Sequence, residues 1–150
     1  MAESRFLYVT YIRATPQKIW DCFTDPEMNR KFWGGYHQDS SFEVGGDYKL
    51  AGPDGRVWDA GKVLASDPPR LLRLSWRHLS EGAMQAEGES ICTIEIEAAQ
   101  AGVTTLTLTH EIGVAESKLI AGVATGWPSI LSSLKSLLET GEALATAKAA

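Results

Sequence analysis

The chain has 150 residues, of which 44% are hydrophobic and 22% are charged, and its formal net charge is −5. These values are typical of one globular domain, and they exclude a general nucleic-acid binder, which needs a basic surface. We therefore expect a single domain over residues 1–150, with a core from about residue 5 to residue 141 and a frayed tail over 142–150.

The first residues do not have the features of a secretory signal, because Met1 leads into a polar stretch and not into an apolar one. No apolar run approaches the roughly 20 residues that a membrane-spanning helix needs. The two cysteines, Cys22 and Cys92, lack metal-binding or redox spacing, so we expect buried free thiols. These features predict a cytoplasmic protein without membrane insertion, as a monomer or a homodimer.

A strand and two short helices are predicted at the start of the chain. The β-branched and aromatic stretch FLYVTYI, residues 6–12, is typical of a strand. Thr15 and Asp25 are each followed by proline, which predicts a capped helix start at both positions. Gly34 and Gly35 end the second helix.

Six further strands are predicted between residues 36 and 112, separated by short turn-like segments. The predicted strands cover residues 36–43, 47–52, 56–66, 70–79, 90–98 and 103–112. Because the connections are short, consecutive strands should pair as antiparallel neighbours. The first strand of the chain should join this sheet at an edge.

Apolar and polar side chains alternate in the last three strands, so one face of the sheet should be covered. The predicted inward side chains are Leu72, Leu74, Trp76, His78, Cys92, Ile94, Ile96, Leu106, Leu108 and His110. The strand over 56–66 is not assigned a face, because the side that carries Trp58 also carries Arg56 and Lys62.

An amphipathic helix is predicted near the end of the chain, with Trp127, Leu131, Leu134 and Leu138 on one stripe. Pro128 favours a helix that begins near Gly126 or Trp127, and a longer kinked helix from Ser117 is the alternative. Gly141 should end the helix.

Together these elements predict an α+β helix-grip fold. A curved antiparallel sheet of six to seven strands wraps around a long C-terminal helix, and two short helices follow the first strand. The apolar stripe of the helix and the inward face of the sheet should then enclose a gap that is too wide for their own side chains to fill.

Four segments jointly resemble bacterial members of the family related to the C-terminal domain of the heat-shock-protein-90 ATPase activator. They are TPQKIWDCFTDPEMNRKFW, DPPRLLRLSW, LTLTHE and GWPSILSSLKSLLETG. The family is part of the START/birch-pollen-allergen superfamily (SRPBCC). The resemblance implies the helix-grip fold, a hydrophobic cavity and binding of a lipophilic small molecule, and it supplies no catalytic residues.

The candidate cavity residues are aromatic, aliphatic or imidazole side chains from the sheet, the second short helix and the last helix. They are Trp33, Tyr48, Trp58, Trp76, His78, Ile94, Leu108, His110, Trp127, Leu131 and Leu134. Apolar walls with a few polar groups are usual in ligand pockets. We expect His78, His110 or Tyr48 to hold the polar end of a ligand.

No metal site, cofactor or catalytic residue is predicted. His78 and His110 flank Cys92, but side chains on alternate strands lie about 9.5 Å apart and converge poorly on one ion. Cys92 lies within a strand and lacks the cationic surroundings that activate a thiol.

Three functions are compatible with the sequence. The favoured one is binding of a hydrophobic or amphipathic small molecule between sheet and helix. The alternatives are a protein–protein module with a chaperone or stress-response partner, and an enzyme that uses the same cavity. An enzyme would need a buried titratable pair facing the cavity, and the sequence does not identify one.

Overall fold

The computed structural model describes residues 2–80 and 82–144. The elements in chain order are β1 (Ser4–Ile12), α1 (Pro16–Thr24), α2 (Pro26–Phe32), β2 (His37–Ser40), β3 (Asp47–Ala51), β4 (Val57–Asp67), β5 (Leu71–His78), α3 (Ala83–Ala86), β6 (Glu89–Gln100), β7 (Val103–Ile112) and α4 (Lys118–Thr140). Most of the predicted tail, residues 145–150, lies outside the described residues.

The seven strands form one antiparallel sheet in the order β1-β7-β6-β5-β4-β3-β2. Strands β2 to β7 follow one another as a meander, and β1 joins at the edge beside β7. The predicted helix-grip architecture is therefore confirmed, because every short connection pairs consecutive strands and the C-terminal helix covers the apolar face.

Both predicted caps of the short helices are present. The Thr15 side chain accepts a hydrogen bond from the Lys18 amide, and the Asp25 side chain accepts one from the Glu27 amide. These bonds satisfy amides that the first helical turn leaves without partners. The two helices bury Ile19, and they close one end of the space between the sheet and α4.

The C-terminal helix runs without interruption from Lys118 to Thr140, with Pro128 inside it. A start near Pro128 was therefore the wrong alternative. The helix begins earlier because the side chains of Ser117 and Glu87 accept hydrogen bonds from its first amides. It ends as predicted at Gly141, whose left-handed conformation has φ 86°.

Two further differences from the predicted elements are local. Strand β2 ends at Ser40 instead of reaching residue 43, because Phe42 adopts a positive φ of 57° while its ring turns into the core. The short helix α3 was not predicted, since its four residues are too few to show a helical period.

Among the helices within residues 2–80 and 82–144, none is long and apolar enough to cross a membrane.

Candidate functional site

Aromatic side chains from the sheet, α2 and α4 meet in the centre of the molecule. The ring centroids of Trp33 and Trp127 are 5.4 Å apart, those of Trp127 and Trp76 are 5.7 Å apart, and those of Trp76 and Tyr48 are 5.3 Å apart. These are the separations of rings in direct contact. The wide gap expected between sheet and helix is therefore largely closed, because four large rings fill it.

His110 belongs to a buried hydrogen-bond chain that ties α4 to the sheet. Trp127 Nε1 donates to His110 Nδ1 over 3.1 Å, and His110 Nε2 lies 2.8 Å from Ser90 Oγ. Because Nδ1 accepts, Nε2 carries the proton and donates it to Ser90, whose hydroxyl donates to the Trp76 carbonyl. Burial holds the pKa of His110 near 4, so the imidazole is neutral.

A small pocket remains beside this cluster. Its volume is about 20 Å³, room for about one water molecule. Its walls come from β3, β4, β5, α2, α3 and α4. The lining residues are Trp33, Leu50, Asp59, Trp76, His78, Met84, Leu119, Gly122, Val123, Trp127 and Ile130.

Asp59 supplies a buried carboxylate to the pocket and was not among the predicted site residues. It is 5% exposed, and its Oδ1 accepts hydrogen bonds from Trp76 Nε1 at 3.1 Å and from His78 Nδ1 at 2.9 Å. Burial raises the pKa of Asp59, and the bonds from His78 and Trp76 oppose that rise. Since a carboxylate only accepts, His78 carries its proton on Nδ1 and leaves Nε2 as an acceptor.

Trp33 adds a hydrogen-bond donor that lacks an acceptor. Its side chain is 1% exposed and lines the pocket, and Nε1 has no hydrogen-bond partner among the described residues. A buried polar group without a partner is rare, because it costs about 1–3 kcal/mol. The pocket is thus lined by a residue with a buried carboxylate, Asp59, and by one whose buried donor has no acceptor among the described residues, Trp33.

The short helix α3 covers the pocket. The Met84 side chain lines the pocket and approaches α4 so closely at Gly122 that a Cβ there would lie 2.8 Å from Met84 Cε. Glu87, just after α3, accepts hydrogen bonds from Ser117 Oγ at 2.5 Å and from the Lys118 amide at 2.6 Å. We call residues 82–88 the lid, since they connect β5 to β6 across the pocket.

Four of the eleven predicted cavity residues line this pocket: Trp33, Trp76, His78 and Trp127. The other seven lie elsewhere. Tyr48 is fully buried and donates to Gln38 Oε1, Trp58 stacks under the Arg56 guanidinium, and His110 is held in its hydrogen-bond chain. The remaining four pack in the core, namely Ile94, Leu108, Leu131 and Leu134.

Asp59 was missed because the strand that carries it shows no clean alternation. A signal was nevertheless present, since pairing the strands over 56–66 and 70–79 across their short turn brings Asp59 opposite His78.

The core thiol was interpreted correctly as buried: Cys92 is 0% exposed, and burial raises its pKa. That shift disfavours the nucleophilic thiolate.

Comparison with known proteins assigns the family. The family model described as "Activator of Hsp90 ATPase homolog 1-like protein" matches residues 13–139. The chain belongs to this family. None of the curated proteins matches the chain.

Solved structures of other members of this fold are similar over nearly the whole chain. Protein MLL2253 from Mesorhizobium loti has a TM-score of 0.76 and 22% identity, covering 91% of this chain and 97% of its own. PFC0360w, an HSP90 activator from Plasmodium falciparum, has a TM-score of 0.71 and 20% identity, with 89% and 95% covered. The Aha1 dimer from Colwellia psychrerythraea has a TM-score of 0.69 and 23% identity, with 92% and 98% covered. At these identities the likeness establishes the shared fold alone.

Proposed function

We propose that the protein binds a small aromatic molecule of one or two rings in the pocket beneath the lid. The observation that carries this proposal is the combination of indole walls with polar atoms that lack described partners. These atoms are Trp33 Nε1, which donates, and Asp59 Oδ2 and His78 Nε2, which accept. Apolar walls with a few convergent polar groups are characteristic of ligand sites.

The expected ligand has a flat apolar body and carries an acceptor, a donor or both. The rings of Trp76 and Trp127 offer faces and edges for stacking, while Asp59 and Trp33 supply complementary hydrogen bonds. A phenol carries both groups, an indole supplies a donor, and an aromatic ketone supplies an acceptor. A long lipid would not fit, because the aromatic rings beside the pocket are in direct contact and leave no room for an extended chain.

Entry of such a ligand requires the lid to yield, since a volume of about 20 Å³ is smaller than a ring. The lid is bounded by Gly82 and Gly88, which have φ values of 125° and 83°. Its helix has only four residues and buries none of them. Movement of Met84 away from Gly122 would open the pocket without disturbing the aromatic cluster.

Replacing Met84 by alanine is expected to tighten ligand binding. In the wild-type protein the Met84 side chain must leave its apolar contacts when a ligand enters, which costs about 1.5–3 kcal/mol. The Met84→Ala variant avoids that cost, so the affinity should rise about tenfold to a hundredfold. Tryptophan fluorescence titration with phenols and aromatic ketones measures the effect, and thermal unfolding gives a second readout that also serves for indole.

A matched control is Met28→Ala, because Met28 lies on α2 outside the pocket and should leave the affinities unchanged. The proposal would be abandoned if none of these compounds altered the fluorescence or the melting temperature of either wild-type protein or Met84→Ala. Equal affinities in Met84→Ala and wild-type protein would contradict the role of the lid.

A second candidate function is chaperone binding along the outer face of β1. Leu7, Val9 and Tyr11 are 59%, 48% and 60% exposed and form an apolar stripe on this edge strand. Adjacent exposed apolar residues commonly mark protein-binding surfaces. The fold neighbour PFC0360w is an HSP90 activator, which makes an Hsp90 chaperone the partner to test.

For this candidate, immobilised wild-type protein should retain an Hsp90 chaperone, and Val9→Lys should reduce retention at least tenfold by placing a charge in the stripe. Val44→Lys is the matched control, since Val44 is an exposed valine that lies outside this strand. Equal retention by both variants, or no retention by wild-type protein, would remove the support for a chaperone contact at β1.

A further inference from the structure

We propose that the Asp59–His78 pair makes the pocket a site of proton transfer, acting on the carbon next to the carbonyl of a bound aromatic ketone. This inference rests on the proposed function, because the ketone must bind beneath the lid. It supplies the feature that an enzyme would need and that the sequence did not reveal: a buried titratable pair facing the pocket.

His78 has the position and the tautomer of a general base. Its Nδ1 donates to Asp59 Oδ1 over 2.9 Å, so its Nε2 holds a free lone pair. The side chains of His78 and Asp59 are 14% and 8% exposed, and both line the pocket. A base that is held by a carboxylate and sheltered from bulk water is suited to removing a weakly acidic proton.

Asp59 acts as a positioning residue. Its carboxylate fixes the imidazole orientation and stabilises the imidazolium that forms when Nε2 takes a proton. Trp76 Nε1 donates to the same oxygen over 3.1 Å and thereby holds the carboxylate in place. Asp59 itself does not need to touch the ketone.

Trp33 provides the complementary donor. Trp33 lines the pocket, and its Nε1–H is buried without an acceptor among the described residues, so a carbonyl oxygen of a ligand that reaches it would complete its bonding. A fixed donor at a carbonyl oxygen stabilises the negative charge that develops there. The rest of the ligand would pack against the indole rings of Trp76 and Trp127, which favour a flat aromatic body.

The proposed step conserves atoms and electrons without a further reagent. The Nε2 lone pair of His78 forms a bond to the proton on the carbon next to the carbonyl. The former C–H electron pair becomes the C=C bond of an enolate, and the carbonyl π electrons move to the oxygen that faces Trp33. In heavy water the proton held on Nε2 exchanges with the solvent for a deuteron. Nε2 then gives this deuteron to the enolate carbon as the carbonyl π bond re-forms, so the net result is exchange of one proton of the ketone for deuterium.

The test uses indan-2-one, whose loss of the protons beside the carbonyl is followed in D2O by proton NMR. Wild-type protein should accelerate the exchange over buffer, and His78→Ala should lower the protein-dependent rate about a hundredfold, in line with the usual contribution of a general base. Added imidazole should restore part of the rate in His78→Ala. His37→Ala, which changes a histidine outside the pocket, should keep the wild-type rate.

Asp59→Asn and Trp33→Phe separate positioning from binding. Asp59→Asn should lower kcat at least tenfold with little change in KM, and Asp59→Glu should recover part of kcat because it restores the charge. Trp33→Phe keeps an aromatic wall and removes only the donor, so kcat should again fall. Circular dichroism and thermal unfolding of each variant establish that it is folded.

Binding of indan-2-one is measured in parallel by tryptophan fluorescence, for wild-type protein and for the open-lid Met84→Ala variant. If the ketone binds and its exchange matches buffer, the proton-transfer inference is overturned while the binding function stands. Wild-type exchange rates in His78→Ala would overturn it as well. If the ketone binds neither protein, both this inference and the assignment of aromatic ketones as ligands are lost.

Discussion

Replacing Gly61 by alanine is expected to destabilise the protein by about 4 kcal/mol or more, a large part of the 5–15 kcal/mol that holds a domain together. Gly61 lies in β4, at a point where its backbone approaches the backbone of β5 closely. A Cβ at Gly61 would lie 1.8 Å from the carbonyl oxygen of Ser75. Because that oxygen belongs to the backbone of a central strand, it cannot move aside as a flexible side chain could.

The cause is the shape of the sheet at this point. The Lys62 amide bonds to the Ser75 hydroxyl over 2.8 Å, and the pairing of β4 with β5 shifts between Val63 and Ala65. Such irregularities bend a strand and increase its twist. Gly61 is therefore needed for close approach, and the bend that it permits helps the sheet to curve around α4.

Urea unfolding at neutral pH measures the effect as a shift of the midpoint. Gly122→Ala is the matched control, since the added Cβ would meet only the flexible end of Met84, 2.8 Å away, and alanine favours a helix over glycine by about 1 kcal/mol. We expect Gly122→Ala to remain within about 1 kcal/mol of wild type. A Gly61→Ala protein as stable as that control would show that β4 and β5 are not in close contact.

Replacing His110 by leucine is the second substitution with a large expected effect. It would leave the buried Trp127 indole N–H and the Ser90 hydroxyl without their imidazole partner. Each lost buried partner costs about 1–3 kcal/mol, so the loss of two should total about 2–6 kcal/mol. His110→Asn should cost less, because the amide oxygen can accept from Trp127.

His110 should also make the fold sensitive to acid. Its pKa lies near 4 in the folded protein, below the ordinary value of 6.5, because burial disfavours the charged imidazole. Between those two values the unfolded chain binds a proton that the folded chain does not. Stability therefore falls as the pH is lowered from about 6.5 to 4, by about 3 kcal/mol in all.

Urea unfolding of wild-type protein and His110→Asn at pH 7, 6, 5 and 4 isolates this contribution. Burial raises the pKa of Asp59 and acts in the opposite direction, but Asp59 is present in both proteins, so the difference between them reports His110. Wild-type stability should fall more steeply than that of the variant. Parallel curves would mean that His110 is not buried as a neutral imidazole.

The order of elements was predictable because it depends on local patterns. The prolines after Thr15 and Asp25 predicted two short helices, and alternation through Trp76 and His78 predicted which face of β5 is covered. The start of α4 was harder to predict. It depends on Glu87, which is 31 residues from Lys118 in the chain and meets it only after folding.

The residues that surround the pocket were only partly predictable, for a similar reason. Periodicity placed Trp33, Trp76, His78 and Trp127 toward the interior, but it could not indicate that their rings would fill the space between sheet and helix. Asp59 was hidden because β4 is irregular and its side chains do not alternate cleanly. Asp59 meets His78 because of the register in which β4 pairs with β5.

The sequence by itself thus determined the family, the strands and their covered face, since residue periodicity and capping act over a few neighbouring positions. The tertiary structure alone decided that the interior is nearly full and that Asp59, His78 and Trp33 line the small pocket that remains. The physical reason is that packing depends on summed side-chain volumes and on contacts between distant strands, to which no local pattern is sensitive.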